Sequence, residues 1–181
     1  LAIRISRTWW LYLIDLVLFT GSLQALIRIG ERFPEDAAGA APFDLQNDLQ
    51  ASQVYPQVAD YTEQARQLYY AFTLIDYAFP FFAGLFITAT VAFALRYGRP
   101  RLYEVLVARR LLPVLMLATA FDWLENVAAL STIVMYPAEI SSLPGLLVFA
   151  KKCKLGFSLF SNGAMLLAVL TAAGSWVARR F

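Results

Sequence analysis

The sequence predicts an all-α fold, an integral membrane four-helix bundle with an additional interfacial amphipathic helix between spans one and two. Three observations carry this. Hydrophobic residues make up 60% of the 181 and charged residues 15%, against roughly 45–50% and about 25% in a soluble domain. The apolar residues gather in four blocks of about 20 residues or more, the length that crosses a hydrocarbon core of about 30 Å. A soluble bundle would instead carry narrow apolar stripes and charged outer faces. The arginines collect at one end of these blocks and most of the carboxylates at the other.

The first span is expected over 9–29, opened by Trp9 and Trp10, whose amphipathic rings suit a membrane interface, and ended by Gly30 to Pro34. The chain begins at Leu1 rather than Met, which is compatible with a preceding start segment. Arg4 and Arg7 look like the basic start of a secretory signal, but the block behind them is long enough to span, so a retained helix is expected. A polar stretch over 34–68 follows. Within it Val54, Val58, Tyr61, Ala65, Leu68 and Tyr69 recur at helical spacing, which predicts one amphipathic helix from Val54 to Leu68 at the outer interface.

The second span is placed at 69–95, with a kink at Pro80. A short basic connection containing Arg96, Arg99, Arg101, Arg109 and Arg110 leads to a third span at 111–135, closed by Tyr136-Pro137. A Ser- and Pro-containing turn precedes the fourth span, 145–177. No repeat or low-complexity tract divides the chain, so residues 1–181 form a single transmembrane domain. The basic residues place both termini on the cytoplasmic side of what is expected to be a bacterial inner membrane, with Arg4, Arg7, the five connecting arginines, Arg179 and Arg180 inside. Lys151 and Lys152 fall on the opposite side and count against that orientation.

Several chemistries are excluded or disfavoured. The chain has no histidine, which removes His-ligated haem and zinc, Ser-His-Asp catalysis and histidine relays. The lone Cys153 allows no internal disulfide and no Cys-x-x-Cys pair; between Lys152 and Lys154 it reads as an ordinary interfacial cysteine rather than a reactive thiol. No basic run interleaved with aromatics points to nucleic acid. No cofactor, metal or catalytic residue is assigned. The expected partners are membrane lipid and either other membrane subunits or further copies of the chain.

Polar chemistry inside the spans rests on four carboxylates, Asp15, Asp76, Asp122 and Glu125. Intramembrane ionisable residues are costly and face a protein interior where they find partners. Thr119, Asp122, Glu125 and Asn126 fall within one stripe of roughly 120° on the third span, which must point into the bundle. Tyr69, Thr73, Asp76 and Pro80 share a face of the second, and Asp15 is in phase with Ser22 on the first. Lys154 and Glu125 lie at nearly equal chain distance from Pro144 and Pro137, so their depths differ by about 3 Å. Antiparallel neighbours joined by a short loop pack side by side, which predicts an ion pair from Lys154 to Glu125 or Asp122. Below Lys154, Ser158, Ser161, Ala168 and Ala172 form a stripe that permits close helix approach.

From about Ser52 to Phe160 the chain resembles a family of small, uncharacterised bacterial four-span membrane proteins. The matching pieces are Arg66-Gln-Leu-Tyr69, Asp76 followed by Pro80, Asp122-Trp-Leu-Glu125-Asn126, Tyr136-Pro137 and Lys154. The resemblance implies the same four-helix bundle and carries no activity with it.

The reading taken forward is a non-catalytic membrane protein whose charged core stabilises the bundle, with Asp76, Asp122, Glu125, Asn126, Lys154 and Thr73 as candidates for binding a lipid-like or small polar ligand. The same reading includes a role as accessory subunit of a larger membrane assembly. The alternatives are a membrane-embedded enzyme using Asp122 or Glu125 as general acid or base, and a proton-coupled transporter of small solutes. A purely structural lock should be closed and dry; a polar cavity lined by Asp76, Asp122 and Glu125 would favour a ligand instead.

Overall fold

The structure, a computed structural model, describes residues 1–179; Arg180, counted above among the inner basic residues, lies outside them. Helices follow one another as α1 (Ala2–Ile5), α2 (Trp9–Asp36), α3 (Ala51–Ala59), α4 (Glu63–Asp76), α5 (Phe79–Gly98), α6 (Pro100–Ala108), α7 (Leu117–Met135) and α8 (Ser142–Val177). Short 3-10 turns at Phe43–Leu45 and Leu112–Met116 complete the secondary structure. No strand occurs among the described residues. Four helical stretches are long and apolar enough to cross a membrane: Trp9–Asp36, Glu63–Gly98, Leu112–Met135 and Ser142–Val177.

The second of these stretches is α4 and α5 end to end, and Pro80 explains the break between them. A proline lacks the N–H that would bond the carbonyl four residues back, and its ring clashes with that carbonyl. The carbonyl in question belongs to Asp76, where α4 ends. Backbone carbonyls in an apolar setting need donors, and α7 supplies one to each of two carbonyls beside the break. Trp123 Nε1 donates to Tyr77 O at 2.9 Å, and Thr119 Oγ1 donates to Pro80 O at 2.7 Å. Asp122, beside Trp123, is thereby brought to the C-terminal end of α4.

Helix α2 runs about two turns beyond the end expected at Ile29, to Asp36. Gly30 does not terminate it. A side chain there would lie 2.8 Å from Leu45 Cδ1, so the glycine admits the loop that folds back over the helix. Pro34 sits in the last turns, and α2 stops only before Ala38 and Gly39, at φ 51° and 86° in the left-handed region.

The segment expected to be a single interfacial helix is two helices, α3 and α4, with Tyr61 between them. Thr62 starts α4 by accepting a hydrogen bond from Ala65 N at 3.1 Å. The helical spacing was real, but the face it describes is covered by protein. Val54, Val58, Tyr61, Ala65 and Tyr69 are buried with Phe33, Phe43, Leu49, Ala128, Ala129, Ile133 and Leu147. Phe33 meets Tyr61 and Tyr69 edge-on, with ring centroids 5.2 and 5.7 Å apart. The polar segment is thus a folded cap held on the ends of α7 and α8.

At the other end, the basic connection contains an unexpected helix, α6, started by Pro100 in its first turn and turning Tyr103 inward. In the body of the bundle α8 packs along α7 and α5, and α2 packs along α4 and α5. The α5–α8 contact is a backbone approach: a Cβ on Gly98 would stand 2.7 Å from Ala172 Cα. Ser161 Oγ donates to Leu115 O at 2.9 Å on the same side of α8.

Candidate functional site: a buried carboxylate–lysine cluster under the cap

Four segments converge beneath the cap. Phe43, fully buried among the cap aromatics, anchors the 3-10 turn that carries Asp44. Asp76 ends α4. Asp122, Glu125 and Asn126 come from successive turns of α7, and Lys151 and Lys154 from one face of α8.

The two lysines organise the centre. Lys154 Nζ lies 2.6 Å from Glu125 Oε2 and 3.0 Å from Asp122 Oδ1, and it also pairs with Asp44 Oδ1. Lys151 Nζ lies 2.8 Å from Glu125 Oε1 and donates to Asp44 O at 2.9 Å. Each Glu125 oxygen therefore has its own ammonium group, although these contacts are charge pairs without good hydrogen-bond angles. Asn126 Nδ2 makes a long contact of 3.5 Å with Asp122 Oδ2.

Asp76 differs from the others. It is 1% exposed, and neither oxygen receives a hydrogen bond of acceptable distance and angle, although the Asn126 amide adjoins it. An Asp76 oxygen nevertheless lies in a group with one oxygen each of Asp44 and Asp122, all within 4.8 Å of one another. Thr73, one turn earlier on the same helix, is buried with its hydroxyl unpartnered.

Two members of the cluster were not foreseen. Lys151, which lies on the side opposite the arginines and counts against the expected orientation, is 2% exposed and faces Glu125. Its three-residue spacing from Lys154 was the available signal, since such residues share a helix face. Asp44 gave none: it lies in a polar stretch remote in sequence from every other member, and the Phe43 anchor brings it in. Asp15 stands apart. It is buried on α2 without a hydrogen bond, and Ser22 donates to Leu18 O in its own helix instead.

A cavity of about 290 Å³ opens beside the cluster between α2, α5, α7 and α8. Asp44, Asp122 and Lys154 form one end of it, and Phe19, Ile87 and Leu115 are among its apolar walls. Thr73, Asp76, Glu125 and Asn126 do not line it. A larger cavity of about 610 Å³ lies between α5, α6 and α8, but its lining is apolar apart from Arg99 and Thr171, with no convergent polar groups to orient a ligand.

The fold and the buried charges define the class: an all-helical protein with four helices long and apolar enough to cross a membrane and with ionisable side chains in its interior. No protein-family model matches the chain, and no curated protein or solved structure is significantly similar to it.

Proposed function

We propose that the chain is a non-catalytic polytopic membrane protein whose charged core joins the cap to α4, α7 and α8 and holds the head of an amphiphilic ligand in the adjoining cavity. The observation that carries this reading is the two-sided character of that cavity. It holds two carboxylates and an ammonium group, while the rest of its lining is mainly apolar side chains of the spans, with Thr119, Ser158, Ser161 and Asn162 among them. A lipid-like molecule with a zwitterionic or hydroxylated head has the matching polarity. General acid–base chemistry by Glu125 is less well supported, because both of its oxygens are held by lysines and none is in reserve for a proton. Membership in the family of small bacterial four-span proteins is part of this proposal. It is supported by the way Arg66 lies over the Tyr136 ring at 5.4 Å and Asp76 meets Asp122, residues that carry the resemblance.

Cytoplasmic termini in a bacterial inner membrane are proposed on the same arginine count. Burial of Lys151 removes one of the two charges that opposed it. Filling the cavity tests the ligand reading. Ala83→Phe, on a wall residue of α5, should leave the protein folded and strip a co-purifying lipid detected by native mass spectrometry. Identical lipid retention in the wild type and this variant would refute the reading.

A further inference from the structure

The cluster contains four carboxylates, Asp44, Asp76, Asp122 and Glu125, and two ammonium groups, Lys151 and Lys154. Fully ionised, that is a formal charge of −2 in a largely buried site. The surplus is localised. Both Glu125 oxygens face lysines, while among the described residues no basic side chain lies within ion-pair distance of Asp76. An unpaired buried charge is strongly destabilising, so something must compensate it.

We propose that Asp44, Asp76 and Asp122 bind one hard divalent cation of the Ca²⁺, Mg²⁺ or Mn²⁺ class where the cap meets α4 and α7. Three facts converge on this. First, one oxygen from each aspartate lies within 4.8 Å of the other two. At calcium–oxygen distances of about 2.3–2.6 Å, ligands on opposite sides of one ion stand about 4.6–5.2 Å apart, so the three oxygens are close enough to share one coordination shell, with a small inward shift for a smaller ion such as Mg²⁺. Second, Asp76 is 1% exposed with both oxygens unpartnered, and one of them belongs to this group. Third, the donors are all carboxylate oxygens, a set that suits hard cations rather than zinc or copper.

Lys154 does not replace the ion. It contacts one oxygen of Asp44 and one of Asp122 and is not paired with Asp76. In this proposal it orients two of the ligands. A dication would bring the formal charge of the cluster to zero. It would also tie the Asp44 turn to the end of α4, so metal binding would clamp the cap on the bundle. This assignment departs from the metal-free reading of the sequence. It does not depend on an amphiphile occupying the cavity, since Ala83→Phe should leave ion binding intact.

The test uses the full chain in detergent, stripped with EDTA and titrated with Mn²⁺ while free Mn²⁺ is counted by electron paramagnetic resonance. The expected result is one saturable site per chain, displaced by Ca²⁺ or Mg²⁺, with a higher unfolding temperature in Mn²⁺ than in EDTA. Asp76→Asn should weaken binding at least tenfold without lowering the unfolding temperature in EDTA, because it removes an uncompensated charge. Asp44→Asn, in the less buried cap turn, should weaken binding similarly and decides the matter if Asp76→Asn fails to fold. Asp60→Asn, at an exposed position, should change nothing. Absence of a saturable site at millimolar Mn²⁺ would overturn the proposal. So would undiminished binding in the folded aspartate variants, which would point to protons as the compensating charge.

Discussion

Replacing Lys151 by methionine isolates the pair that sequence reasoning overlooked. The substitution keeps the aliphatic stem and removes an ammonium group 2.8 Å from Glu125 Oε1 and 2.9 Å from Asp44 O. Both side chains of the pair are at most 2% exposed. Removing one partner of such a pair costs about 3–5 kcal/mol, mostly because the other charge stays buried. Glu125 keeps Lys154 at 2.6 Å, which places the expected loss near the low end, about 3 kcal/mol. Adding Glu125→Gln removes the orphaned charge while leaving an amide oxygen for Lys154, so the double variant should recover about 2 kcal/mol of that loss. Reversible unfolding in mixed micelles with EDTA, followed by far-UV circular dichroism, measures Lys151→Met, Glu125→Gln and the double variant. A single-variant loss under about 1 kcal/mol, or additive losses in the double variant, would refute the argument that this pair closes the core.

Further outcomes follow from other contacts. Gly98→Val should cost at least about 2 kcal/mol in the same assay, because its Cβ meets Ala172 backbone at 2.7–2.9 Å and backbone cannot yield as a side chain can. Gly30→Ala should be near neutral, since it meets only the flexible end of Leu45 at 2.8 Å and gains helix propensity of about 1 kcal/mol. Arg66→Met should cost about 2 kcal/mol, because Arg66 donates to Val58 O and Ile133 O, both at 3.2 Å, and so joins the end of α3 to the end of α7. Tyr61, in the cap, has its phenol pushed well above the usual range by burial, and its hydroxyl lacks a partner. A raised folded-state value leaves the contribution intact below the unfolded value of about 10 and removes it as pH rises beyond that. Tyr61→Phe should therefore be neutral or stabilising at pH 7 and should reduce the loss of stability above pH 10, as read from unfolding temperature against pH.

The number, order and rough limits of the spans, the inward stripe on α7 and the break near Pro80 were all legible in the chain itself. Each depends on local rules: the length of an apolar block, the angular repeat of a helix, and the missing N–H of proline. Tertiary structure decided everything that depends on which surface covers which. The face of Val54, Val58, Tyr61 and Ala65 is equally suited to lipid or to protein, and only the aromatics Phe33 and Phe43, arriving from another segment, made it a protein core. Gly30 reads as a helix stop from sequence and as a point of close approach once Leu45 is beside it. Asp44 reaches the lysines through a loop whose path no periodicity encodes, and Lys151, near the start of α8, is an interface charge or a core charge according to whether the cap lies over it. Hydrophobic length and helical phase are written residue by residue, whereas partners distant in the chain are chosen by the packing of the whole.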